Sequence, residues 1–533
     1  MRKCRLLSGL IAAALILAVV PPCGGTNGAR ADGDTFRCKV LEDGTIEIVK
    51  MLQSLNEVEI PSEIDGKTVT RIGDSAFEDR WRLKSVLIPE TIITIGNEAF
   101  RGCEGLKEIT IPGSVREIGE DAFRGCEKLR TVNLSEGLEV IGNTAFAECK
   151  RLESILIPAS VTEIGEQPFY DDSRLRVEFA EGQAHFSCEN DVVTDLDRKT
   201  IVFALPGFSA EEYAIPEGIR AVGGRAFYNC GSLKRVVFPE GLESIGDSAF
   251  GRCTSLEELA LPEGLVTVGK SAFNYLPSLQ GDLVIPESVE YIGERAFSNL
   301  SRVSGELVIP AGVKEIGDAA FSRSAFVRAQ FCGNPGKIGI ELFSECEALA
   351  EAVLPDGMTE IPDRMFDQCK SLAAVTLPET LEKIGYRSFS SCDALTGIIL
   401  PESVTVIDRY AFNAAGLTDI VIPSQVTDIP EGAFRVCSAL ETVEIRGTVK
   451  SVGESAFENC YHMLRIRFPE GLESIDRAAF MFCHRLEELS LPDSVKSIGS
   501  EVFVKCEVLQ VTAPAGSYAE KYCLQNNIPV KNP

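Results

Sequence analysis

The sequence predicts a repeat solenoid, a chain of short coils stacked one on the next. Three observations carry that prediction. A phenylalanine recurs at Phe77, Phe100, Phe123, Phe146 and Phe169, and again at intervals from Phe227 to Phe503. There are 18 copies, nearly all 22 to 24 residues apart, a period in the range of solenoids. Around each phenylalanine the same apolar phrase returns, as in Leu106-Lys107-Glu108-Ile109-Thr110-Ile111-Pro112 and its continuation to Cys126. The third observation is composition: 45% hydrophobic and 25% charged residues supply core material along all 533 positions. A solenoid grows by stacking, so this length does not translate into a domain count.

The elements follow in chain order. Residues 1–31 read as an export signal. Met1-Arg2-Lys3-Cys4-Arg5 is basic, Leu6 to Val20 is apolar, and Ala29-Arg30-Ala31 is a cleavage site. The apolar run is short for a membrane span, so no span is expected and the product is secreted or held at the extracellular cell surface. Residues 32–72 form an N-terminal cap. In it Phe36 to Val40 and Thr45 to Val49 flank a Gly-containing turn, the mark of a β-hairpin.

Residues 73–176 are the first block of copies. In each copy Ile109 and Ile111 alternate with Glu108 and Thr110, which predicts a strand with one buried face. Pro112 ends it, because proline cannot donate to a ladder. Val115 and Ile118 are the next inward pair, and the Ile118 slot is Ile or Val in all 18 copies. Gly119 follows at a slot that is Gly in 14 of the 18, where a Cβ would hinder the turn. Ala122, Phe123, Cys126 and Leu129 then fall at i, i+1, i+4 and i+7, which predicts a short helix with Glu120 and Asp121 at its start. One strand and one short helix per period is the leucine-rich-repeat pattern. It places a parallel β ladder on the concave face and short helices on the convex face.

Residues 177–215 break the period. Asp191 to Asp195 and Thr200 to Pro206 read as an inserted hairpin around a polar turn. Residues 216–509 are the second block, with a smaller irregularity at Cys332-Gly333-Asn334-Pro335-Gly336. Residues 510–533 form the C-terminal cap, a helix from about Ser517 and a short strand around Ile528 to Val530.

The phrase Ile-Pro-x-x-Val-x-x-Ile-Gly-x-x-Ala-Phe-x-x-Cys-x-x-Leu resembles the repeat of the BspA-type, or Treponema pallidum-type, leucine-rich-repeat family. It fits residues 72–509 apart from the insertion, and Ile60 to Val69 is similar to that family's opening. The resemblance implies a bacterial secreted or cell-surface protein, with adhesion to host matrix proteins or other cells among the family's activities. It brings no catalytic residues.

The remaining residue types narrow the function. A net charge of −27 argues against nucleic acid as a partner, since phosphate binding needs clustered Lys and Arg. Twelve of the 18 cysteines stand three residues after the marker phenylalanine. The other six copies carry Arg80, Asp172, Leu276, Leu300, Ser324 or Ala415 there. Exchange with Leu and Ala marks a small buried hydrophobe, and parallel stacked side chains have the wrong geometry for a disulfide ladder. There is no CxxC pair for zinc, and of the histidines His185, His462 and His484 the last two fall in adjacent copies without a convincing carboxylate partner, so no metal or other cofactor is expected. No GxSxG, HExxH or P-loop motif is present, which points away from an enzyme.

What the repeat leaves free is the outward side of the concave ladder. Its slots hold Glu108, Thr110, Leu156, Arg235, Val237, Glu258, Arg465, Arg467 and Glu488. Mixed apolar and charged side chains on an open sheet suit a protein ligand, a host matrix protein or another cell surface. Arg465 and Arg467 are the local basic spot on this face. A spacer or envelope component without a specific ligand is the alternative.

Overall fold

The computed structural model describes residues 35–172 and 174–533. The export signal expected at residues 1–31 lies outside the described residues. The fold is a parallel β-solenoid of about 21 turns with very little helix. It divides into two compact units. One is the chain up to Ala210 together with Gly218–Phe227; the other is Glu211–Glu217 with Tyr228–Pro533.

Most coils begin with a strand of the expected alternation, although the phrases at 259–261, 282–285 and 397–400 form none. Glu108–Ile111 buries Ile109 and Ile111 and exposes Glu108 and Thr110. It pairs in parallel with Thr131–Leu134, residue against homologous residue. A two-residue strand follows the Pro turn. Glu117–Ile118 pairs with Val140–Ile141, and that with Glu163–Ile164, in the same register. In-register stacking puts like on like, and within each unit the inward columns are built of fully buried Ile, Val, Leu, Phe and Cys, which in the first unit form one cluster from Phe36 to Leu205.

The convex helices predicted from the sequence are absent. Among the described residues the one α-helix is Tyr518–Gln525 in the terminal cap. The side chains nevertheless face inward as the i, i+1, i+4, i+7 spacing requires, with Ala122, Phe123, Cys126 and Leu129 all 0% exposed. The backbone differs because its hydrogen bonds run between coils. The N–H groups of Glu98, Phe100 and Gly102 donate to the carbonyls of Glu120, Ala122 and Arg124 at 2.7–2.8 Å. The intervening N–H groups of Ala99, Arg101 and Cys103 close i to i−3 turns. Two residues of the segment take left-handed backbone, Glu98 (φ +55°) and Gly102 (φ +69°), and the same two slots do so in copy after copy. That costs ~1–2 kcal/mol for a residue with a Cβ. The segment thereby becomes a third ladder of the coil, and every face of the stack is stitched to its neighbour.

Three columns reinforce the stitching. The marker phenylalanines stack ring on ring, Phe100 on Phe123 at 5.1 Å and Phe123 on Phe146 at 5.2 Å, and in the second unit Phe389 on Phe412 at 5.3 Å. Such contacts add ~0.5–1.5 kcal/mol beyond area burial. Asn and Asp side chains cap the next coil: Asn97 Oδ1 accepts from Glu120 N, and Asp363 Oδ1 from Tyr386 N, at 2.8 and 2.9 Å. Gly119 is required by this crowding and not by an unusual φ, since a Cβ there would come 2.6 Å from Asn97 Oδ1. In the third column ten of the twelve ladder thiols donate to the carbonyl of the preceding copy's phenylalanine, as Cys126 to Phe100 at 3.3 Å and Cys437 to Phe412 at 3.0 Å. Ser324 makes the equivalent bond to Phe297 at 2.9 Å. The twelve ladder cysteines are free thiols, and burial pushes Cys103, Cys346 and Cys437 up to about 12.

Asp172 is the misfit of that column. It is 1% exposed, its carboxyl oxygens have no hydrogen-bond partner, and burial, then the nearby Asp171 and Glu148, pushes it up to about 9.

At the start of the first unit Phe36–Val40 and Ile46–Met51 pair antiparallel, and Ile46–Met51 runs parallel to Lys67–Ile72. The irregular region holds three antiparallel strands, Phe186–Glu189, Val192–Asp195 and Thr200–Ala204, where the sequence suggested two. Phe186 is the one fully buried residue of the first of these, so no alternation announces it. Phe203 of the last strand meets Phe169 edge to face at 5.9 Å and closes the phenylalanine stack. In the second unit the helix Tyr518–Gln525 is capped by Ser517 Oγ on Glu520 N and buries Ala519 and Cys523. Val530–Lys531 then pairs with Gln510–Thr512.

Candidate functional site

The outward slots of the longer strands form an open face in each unit. In the first unit Glu108 and Thr110 stand exposed on Glu108–Ile111, and Leu156 is 52% exposed on Ser154–Ile157. In the second unit Arg235 and Val237 flank the buried Val236, and Arg235 Nε pairs with Glu258 at 3.7 Å. Arg465, Arg467 and Glu488 are all exposed on neighbouring strands, with Arg465 opposite Glu488 and Arg467 opposite Ser490. The nine residues thus fall into a group of three in one unit and a group of six in the other.

Within the second group the charges are unequal in freedom. Glu488 reaches Lys531 Nζ at 3.7 Å, whereas neither Arg465 nor Arg467 makes an ion pair among the described residues. Their neighbour on the preceding strand is a network that sequence reasoning missed. Arg446 reaches Glu402 at 2.6 Å and Glu444 at 3.1 Å. Glu402 also accepts from Ser424 N and Oγ, and the Arg446 contact holds its carboxyl below the usual range. The available signal was Arg446 itself, which stands where most copies carry the strand-ending proline.

Apolar exposure accompanies the charges. On the equivalent slots of two coils that form no strand there, Ile399 is 91% and Val284 69% exposed. The irregularity near Cys332 opens a shallow depression of about 490 Å³ lined by Asn334, Pro335, Ile340, Met358 and Pro362 among others. The histidines take local contacts: His462 Nδ1 lies 2.7 Å from the Ser438 carbonyl, and His484 stacks on Tyr461 at 5.6 Å. No cluster of three or more His, Cys, Asp or Glu able to hold a metal occurs among the described residues. No helix among them is long and apolar enough to cross a membrane.

Stacked, in-register coils with inward Leu, Ile and Phe columns and an open strand face define a leucine-rich-repeat protein. The model of the BspA type leucine rich repeat region matches residues 50–180, 203–328, 304–416, 336–462 and 405–531. The chain belongs to the BspA-type leucine-rich-repeat family. Among solved structures it is similar to a leucine-rich repeat protein from Bacteroides ovatus, at 23% identity over 94% of this chain and 98% of that one, with a TM-score of 0.33. It is also similar to the T. pallidum leucine rich repeat protein, at 26% identity over 42% and 90% of the two chains, TM-score 0.30. A third is a leucine rich cell surface protein from Faecalibacterium prausnitzii, at 18% identity over 93% and 97%, TM-score 0.30. No curated protein matches the chain.

Proposed function

We propose that this chain is an exported binding protein that adheres to another protein or cell surface through the strand face of its second unit. The observation that carries this reading is Arg465 and Arg467, exposed and without ion pairs among the described residues, with the open aliphatic side chain of Ile399 on the equivalent slot three coils before. Arginine and exposed apolar side chains are both enriched at interfaces. Membership of a family of repeat surface proteins supports it.

The test presents the full chain to immobilised matrix proteins and to whole cells. Saturable binding is expected, and Arg465→Glu with Arg467→Glu should weaken it at least tenfold while Glu108→Gln leaves it within twofold. No saturable binding to any surface at micromolar concentration overturns the reading.

A further inference from the structure

Across this molecule a surface cation leans on a carboxylate one coil away. Lys150 meets Glu127 at 2.8 Å, Arg124 meets Glu148 at 2.8 Å, and Lys370 and Lys383 meet Glu347 and Glu360 at 2.6 Å. In-register stacking makes this the natural arrangement, because like charges directly opposite each other repel.

One strip departs from the rule at all of its cations but Lys150. It is the corner of the first unit where the turn segment passes into the strand, residues 80–84, 103–107, 126–130 and 149–153. These four windows hold eight Lys and Arg against three Glu, in a chain whose net charge is −27. The same windows after Phe343, eight copies in all, hold two cations, Lys370 and Arg485. Lys84, Lys107 and Arg130 stand directly above one another: Lys107 N donates to the Lys84 carbonyl at 3.4 Å and Arg130 N to the Lys107 carbonyl at 2.8 Å. Lys128 and Arg151 repeat the arrangement two residues before. All five are exposed, and none makes an ion pair among the described residues. At the first coil of the strip lies Trp81, 58% exposed, with the Arg82 guanidinium 4.5 Å from its ring centre.

We propose that this corner binds a linear acidic polysaccharide, laid along the stack with one anionic group to each coil. The cations repeat at the coil spacing, ~4.8 Å, a step comparable to one sugar ring carrying one sulfate or carboxylate. The strip is two side chains wide, so it fits a single narrow chain. A nucleic acid duplex, with a charge every ~1.7 Å along its axis, would bring phosphates beyond the strip onto acidic surface. Trp81 offers a flat apolar face to the C–H side of a sugar, and the Arg82 cation beside it is placed for an anion on the same residue. This surface lies in the first unit and is separate from Arg465 and Arg467, so either can fail without the other.

The probe is a heparin decasaccharide titrated onto the full chain by calorimetry at low and physiological salt. Binding is expected, weakening with salt as a ligand neutralising about three to five cations does. The variant Lys107→Gln/Lys128→Gln/Arg130→Gln should lose at least tenfold in affinity and unfold at the same temperature or higher, since it relieves repulsion between coils. Arg465→Gln/Arg467→Gln should bind the decasaccharide within twofold of the parent. The proposal is overturned by unchanged affinity in the triple variant. It is equally overturned by no binding at low salt, by equal binding of a fully desulfated, carboxyl-reduced decasaccharide, or by tighter binding of a thymidine oligonucleotide of matched charge.

Discussion

The strand side and the turn side of each coil solve the same problem with opposite backbones. On the strand side Ile109 and Ile111 lie on extended chain, and the N–H groups reach the neighbouring coil because extended chain points them there. On the turn side Phe123 and Cys126 lie on a chain of tight turns, and left-handed residues such as Asp121 (φ +54°) turn alternate N–H groups toward the next coil. The core packing is equivalent, with both sets of side chains fully buried. The difference teaches that bonds between coils, and not a local preference for helix, fix the backbone wherever stacking is in register.

The sharpest way to break the comparison is to empty one layer on each side. Phe123→Ala removes a ring stacked on both neighbours and should cost ~3–5 kcal/mol, against ~2–4 kcal/mol for Ile109→Ala. Hydrogen exchange resolved by coil is the readout, because a stack of near-identical units need not unfold in one step. Equal, delocalised losses would say the two sides are energetically alike.

Asp172 tests the turn side by pH. Its folded-state value is pushed up to about 9, while the unfolded chain titrates near an ordinary carboxylate. Between those values folding takes up a proton, so stability falls as pH rises and the loss is complete above about 9. The effect is roughly 4 kcal/mol by pH 7. Asp172→Asn should remove most of this slope in melting temperature between pH 5 and 9; an unchanged slope refutes the burial.

Smaller effects separate the sides by sign. Ala414 sits left-handed on the turn side (φ +57°), whereas Val443 is a buried strand residue. Ala414→Gly should stabilise by up to ~1 kcal/mol, as backbone strain is released. Val443→Gly should destabilise by more than 2 kcal/mol, roughly the worth of a buried Val. Denaturant midpoints of the two variants check the pair. Smallest of all is Cys437→Ser, within about 1 kcal/mol, because Ser324 already makes the same bond to a phenylalanine carbonyl. Thiol labelling of the native chain should leave the buried ladder cysteines such as Cys437 unmodified, and denaturation without prior reduction should expose them.

The same contrast explains what the sequence could reveal. Alternation over four residues has one physical reading, so the strand Glu108–Ile111 was legible. The i, i+1, i+4, i+7 spacing has two, a helix or a run of inward turns, and nothing in Ala122, Phe123, Cys126 and Leu129 distinguishes them. The open strand face was legible slot by slot, which is how Arg465 and Arg467 were found. The bridge from Arg446 to Glu402 was not, because its ends stand 44 residues, two coils, apart. The cationic corner was missed for a related reason: its members are ordinary lysines and arginines within any one copy and become a feature only when copies are overlaid.

A coil that makes the same bonds to the coil on either side is also a unit of inheritance. Gly102 to Arg124 is one full module of 23 residues, and its excision would rejoin Arg101 to Gly125, which holds in its copy the place that Gly102 holds in the preceding one. Every hydrogen bond, ring contact and glycine approach at the new junction has a counterpart at the old one. Copy number in such a chain can change by recombination between repeats without inventing a new core. Its reach is therefore a variable set by duplication, while its ends and its surface slots remain open to separate change.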